Sequence, residues 1–96
     1  MGATTFMTHA KGKTAKEAFL AAREEACYER GHGGYTGTIA EKDRFTMIQV
    51  PGDAHPAEYA GKLIDDRDSR VDDKWGPAGC IQLSKDEFLF FGWASE

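Results

Sequence analysis

The sequence predicts an α+β fold in two layers, an antiparallel sheet with two helices on one face and elements in the order β-α-β-β-α-β-β. That expectation rests on a capped, alanine-lined helical stretch after Thr14 and a second amphipathic stretch opening at Pro56. Around them lie short apolar segments separated by glycine, proline and charged turns. Such a succession suits an antiparallel sheet backed by helices. At 96 residues, 41% hydrophobic and 29% charged, the chain reads as one domain over 1–96 with a thin core, not as a disordered segment.

Residues 3–10 are rich in Thr and contain Phe6, which suits a first strand, and Lys11, Gly12 and Lys13 form the turn after it. Thr14 and Glu17 then have capping-box spacing, in which the Thr14 hydroxyl accepts the Glu17 amide and the Glu17 carboxylate reaches back. Ala15, Ala18, Phe19, Ala22 and Ala26 recur on one face at helical spacing, and a face this small lets a helix lie close to a sheet. Gly31 is expected to end that helix as its C′ glycine.

Residues 36–40 and 44–50 read as two strands of a hairpin around Glu41, Lys42 and Asp43, stopped by Pro51 and Gly52. Pro56 suits the first position of a second helix, which presents Tyr59, Ala60, Leu63 and Ile64 on one face. The acidic run 65–73 follows, and residues 75–79 break the chain again. Two last strands over 80–83 and 88–93 turn at Lys85 and Asp86. The final one is apolar on both faces, which marks it as central or covered on both sides. With both helices assigned to one face, the aromatic excess on this strand predicts a homo-oligomer formed through the sheet.

The net charge of −4 speaks against non-specific binding to nucleic acid or to anionic membranes. The start of the chain lacks the basic and apolar regions of a signal peptide, no apolar run approaches the length of a membrane span, and Phe6 stands where a myristoylation pattern needs Ser or Thr. Cys27 and Cys80 lack CxxC spacing and read as buried thiols. A cytoplasmic location is the expectation, with no membrane and no nucleic-acid polymer as partner.

Two loops carry the functional expectations. The first, 31–37, is Gly-His-Gly-Gly-Tyr-Thr-Gly. It follows a helix instead of opening one, so it matches neither a dinucleotide fingerprint nor a Walker A loop. It is either a helix cap leading tightly into a strand or a ring of backbone amides with His32, Tyr35 and Thr36 offered to a small polar or phosphorylated ligand. In the second, 74–79, Trp75 beside Lys74 either plugs the end of the core or stacks on a ligand ring near a phosphate.

The acidic run 65–73 lacks the glycine and terminal glutamate of an EF-hand and reads as a solvated helix end. Cys27, His32, His55 and Cys80 lack paired-ligand spacing, so neither a metal nor another cofactor is expected. Ser69, Ser84 and Ser95 sit in no nucleophile elbow, and His32 with Glu41 or Asp43 is the one acid–base pair that folding would have to assemble.

The string Gly-His-Gly-Gly-Tyr-Thr-Gly-Thr-Ile-Ala-Glu-Lys at 31–42, the string Asp-Asp-Lys-Trp-Gly-Pro-Ala-Gly-Cys at 72–80 and the Phe-Phe-Gly-Trp-Ala close at 90–94 resemble a family of short proteins of bacteriophages, prophages and related bacterial genomes. The likeness spans residues 14–95. The family has no settled activity, so the resemblance transfers no catalytic residue. It implies a phage-type accessory protein of the host cytoplasm, a class that includes inhibitors of host defence.

The combined expectation is a non-enzymatic homo-oligomer that sequesters a small nucleotide-like signalling ligand. Its ligand-binding residues would be His32, Gly33, Gly34, Tyr35, Thr36, Gly37, Lys42, Lys74 and Trp75. Alternatives are an inhibitor that docks an exposed aromatic sheet face on a host enzyme, and a small nucleotide hydrolase.

Overall fold

The computed structural model describes residues 3–30 and 38–95. Its elements are strand β1 (Ala3–Lys11), helix α1 (Ala15–Arg30), a 3₁₀ turn (Ile39–Glu41), strand β2 (Phe45–Met47), helix α2 (Pro56–Asp65), strand β3 (Ala78–Ser84) and strand β4 (Glu87–Ser95). The α+β class is as expected, and the elements follow the expected succession with one substitution. Within the segment read as a strand over 36–40, the described residues enter the 3₁₀ turn. Gly31 lies outside the described residues.

That turn has a physical cause. The Thr38 hydroxyl accepts the Ala40 amide at 3.2 Å, and the Lys42 amide closes on the Ile39 carbonyl at 2.9 Å. Positions i and i+3 eclipse in a 3₁₀ turn, so Ile39 and Lys42 both point inward, whereas a strand would send them to opposite faces. Both side chains are buried.

The sheet runs β1-β4-β3-β2. The pairs β1/β4 and β3/β4 are antiparallel, and β2/β3 is parallel. The sheet is therefore mixed, not antiparallel throughout. Among the described residues β2 pairs only with β3, which it reaches through α2, and a helical crossover returns the chain in the same direction.

The helices take opposite faces, which corrects the expectation of one shared face. On β4, Phe88, Phe90 and Ala94 pack with Ala18, Phe19 and Ala22 of α1, while Leu89 and Phe91 pack with Ala60, Leu63 and Ile64 of α2. Side chains alternate along a strand, so a strand apolar on both faces needs a cover on each. The aromatic face expected to be exposed is thus internal: Phe90 and Phe91 are buried, and Trp93 is half-buried with the Arg67 guanidinium 4.7 Å from its ring centre.

Both helix faces match their sequence patterns. Thr14 caps α1 by accepting the Glu17 amide at 3.1 Å, and the Glu17 carboxylate reaches back one residue further, to the Lys13 amide at 3.0 Å. Helix α2 starts at Pro56 and ends in a Schellman arrangement, with Asp68 N–H on the Leu63 carbonyl and Arg67 N–H on the Ile64 carbonyl. Arg67 holds the left-handed position at φ 53°, where glycine is usual.

Gly79 of β3 lies where β4 and the loop after α2 press closest. A methyl group there would meet the Phe91 ring at 2.6 Å and Val71 at 2.8 Å. Gly79→Ala is expected to cost about 1–3 kcal/mol by overpacking. Gly61 of α2 has nothing within 4 Å of such a methyl, so Gly61→Ala is expected to gain roughly 0.5–1 kcal/mol. Denaturant midpoints of the two variants should move in opposite directions; equal shifts would contradict the packing described.

Candidate functional site

Lys42 is 1% exposed. An ammonium carries three donors. Here Nζ reaches the backbone carbonyls of Asp73, Lys74 and Gly76 at 3.3, 3.1 and 3.1 Å. The Phe6 ring lies 5.9 Å from the same nitrogen. Burial pulls the Lys42 pKa below its ordinary 10.5, and the charges of Asp73 and Glu41 oppose that shift.

The carbonyls converge because turn 73–76 is tied from within. The Gly76 amide donates to the Asp73 carbonyl at 2.9 Å, and the Trp75 amide donates to the Asp73 carboxylate at 2.8 Å. This is an Asx turn overlaid on a β-turn, and Pro77 stiffens its exit. With its carbonyls turned inward, the turn holds the Trp75 side chain at the surface, 58% exposed. The Lys74 ammonium lies 5.4 Å from the centre of the indole. An exposed aromatic with a cation over its ring, on a locked backbone, is chemically a stacking platform with a positive edge.

The expected site residues therefore divide. Lys74 and Trp75 stand together at the surface, and the core-plug reading of Trp75 is overturned. Lys42 does not offer its charge to a ligand: its donors are spent on carbonyls, because the 3₁₀ turn directs it inward. His32, Gly33, Gly34, Tyr35, Thr36 and Gly37 lie outside the described residues. Their segment joins the described fold at Thr38, four residues before Lys42.

Asp73 escaped notice in the sequence because it sits inside an acidic run. Its signal was there in Asp73-Lys74-Trp75-Gly76, an Asp at the first and a Gly at the fourth position of a turn. Elsewhere in that run, the Asp68 carboxylate accepts from the Arg70 amide and guanidinium, which holds its pKa down to about 2. These acids are spent on local turns.

A cleft of about 480 Å³ opens at the end of the parallel pair, lined by Ile48, Val50, Pro51, Pro56, Ile81 and Gln82 among others. It has no nucleophile or acid–base pair in its lining. Among the described residues no group of three His, Cys, Asp or Glu side chains is placed to hold a metal ion, and no helix is long and apolar enough to cross a membrane. Cys27 and Cys80 are both free thiols, and burial pushes the Cys80 pKa up to about 12, which makes it a poor nucleophile. Comparison of the chain with protein-family models, curated proteins and solved structures finds no match.

Lys42→Met keeps the bulk and strips the carbonyls of their donor. The expected loss is at least the roughly 1–3 kcal/mol of one buried polar group left unsatisfied. Its pH dependence has a fixed sign. Below the lowered folded pKa both states are protonated, and the folded state bears the full cost of the buried charge. As pH rises from there to 10.5, the unfolded chain holds the extra proton, so stability rises with pH. The stability advantage of the wild type over Lys42→Met should therefore widen across that alkaline window in denaturant titrations. A gap that narrows would contradict the buried ammonium.

Proposed function

We propose that this chain is a non-enzymatic binding protein that captures a small nucleotide-like ligand, with Trp75 stacking on the base and Lys74 beside a phosphate. The observation that supports this reading is the exposure of Trp75 on a turn fixed by Asp73 and Lys42. An indole contributes most to stability when buried. One held at the surface on a turn fixed by five hydrogen bonds, with a lysine over its ring, is arranged for contact with something outside the chain.

The net charge of −4 opposes an anionic ligand at long range, so the local cations must act at contact, where screening is least effective. Lys74 does this directly, and Lys42 serves only to fix the turn that presents it. In this proposal His32, Tyr35 and Thr36, with the amides of Gly33, Gly34 and Gly37, complete the pocket. The biological role that fits is the one the resemblance implies: a phage-type accessory protein that sequesters a signalling nucleotide in the host cytoplasm and so blunts a defence response.

Calorimetry and tryptophan fluorescence against a panel of cyclic and ADP-ribose-type nucleotides test the proposal. A member of the panel should bind stoichiometrically and be recovered intact. Trp75→Ala should weaken it by the about 1–3 kcal/mol that base stacking supplies. Far-ultraviolet circular dichroism should show Trp75→Ala folded, so that its loss of binding reports the missing ring. Absence of heat with every nucleotide sinks the ligand reading, and recovery of a cleaved product replaces it with a hydrolase.

A further inference from the structure

The sheet has two edges, and they differ. Strand β2 is three residues long, flanked by the Asp43–Arg44 ion pair at 2.9 Å and followed by Pro51. Shortness, charge and proline are the usual devices that keep an edge from pairing. Strand β1 has none of them. It runs nine residues in unbroken register with β4, without proline or bulge. In a chain with 16 acidic residues it contains no acid, and its one lysine stands at its end.

The hydrogen-bond phase of this edge can be read. The Gly12 amide donates to the Asp86 carbonyl at 3.0 Å, one step beyond the Lys11–Glu87 pair of the register. In an antiparallel ladder bonded pairs alternate. Thr4, Phe6, Thr8 and Ala10 therefore direct their backbone groups to β4, and Thr5, Met7 and His9 direct theirs to the edge that pairs with no other strand among the described residues. The side chains of those three also face the α2 side, where α2 covers β3 and β4 and leaves them exposed, Met7 at 42%.

We propose that β1 is the docking edge for a second copy of this chain, the two β1 strands pairing antiparallel about a two-fold axis at Met7. In that register Met7 meets Met7 of the second copy, Thr5 meets His9, and Ala3 meets Lys11. No like charges face each other, although each chain carries a net charge of −4. The pairing joins two four-stranded sheets into one and satisfies the outward amides and carbonyls of both edges. The two half-exposed Met7 side chains cover one another. An isologous contact of this kind closes on itself and stops at two copies.

Light scattering and amide exchange on the full chain test this. The wild type should have twice the mass of one chain, with the amides of Thr5, Met7 and His9 protected. Met7→Pro removes only an outward donor, which an edge strand tolerates, so it should halve the mass while leaving the far-ultraviolet circular dichroism unchanged. Met7→Lys should do the same by charge and guards against misfolding of the proline variant. In a Cys27→Ser background, Met7→Cys should form an intermolecular disulfide, since bonded antiparallel pairs lie about 5.5 Å apart at Cα, within bridging range. Trp75→Ala should leave the mass unchanged, which separates this result from the fate of the ligand reading. A wild type with the mass of one chain overturns the proposal, as does a dimer that keeps its mass in Met7→Lys or pairing of β1 with some other protein's strand in its place.

Discussion

The Lys42 ammonium, enclosed by three backbone carbonyls, is the interaction on which the arrangement of the loops depends. Taking a cation out of water costs several kcal/mol even after relaxation. Carbonyl dipoles offset that cost only if they converge, and convergence requires turn 73–76 to adopt one shape. The side chain that receives the dipoles comes from a different part of the chain, 31 to 34 residues away in sequence. One cation therefore fixes the turn, the approach to β3 and the 3₁₀ segment that delivers it. Its Phe6 neighbour ties the same point to β1.

The second constraint is the demand of β4 for cover. A strand with Phe88, Phe90 and Ala94 on one side and Leu89 and Phe91 on the other leaves apolar surface in water unless a helix lies on each face. The chain has two helices and uses one per face. Small residues in α1 allow close approach, so Phe19 stacks at tilted angles on Phe45 and Phe90, 5.0 and 5.5 Å between ring centres. The cost of this solution is that α2, only ten residues long, packs on β3 and β4 and leaves Thr5, Met7 and His9 of β1 exposed on the same side.

Much of this was legible in the sequence, and the failures have physical reasons. The inward faces of α1 and α2 followed from spacing, because an amphipathic helix has one solution for its apolar stripe. The central place of β4 followed from its two-sided apolarity. The assignment of both helices to one face failed because helical pattern says which side is apolar and not which sheet face it meets; the two-sided strand was the better witness. The hairpin at 36–50 failed because Glu41, Lys42 and Asp43 resemble a solvated polar turn until the partner of Lys42 is known. That partner is a set of carbonyls, and backbone acceptors leave no mark in residue types. Trp75 was ambiguous for a related reason: the Asp73 turn that exposes it lies inside a charge run that invites no closer reading.

The internal bonding of turn 73–76 also limits how it can recognise anything. The Trp75 and Gly76 amides are engaged by Asp73, and three of its carbonyls are engaged by Lys42. Those two amides are already spent and the carbonyls are acceptors, so what the turn chiefly offers a planar anion is the side chains of Lys74 and Trp75. A stacking ring and a single mobile cation give affinity for a planar anion but little discrimination among such ligands, since every base has a π-face and a lone lysine is a point charge. Discrimination must then come from groups of fixed direction, and backbone amides are the groups a glycine-rich stretch supplies most readily. Under the ligand reading proposed above, stacking is what the turn built on Lys42 can supply, and selectivity has to be supplied by other groups.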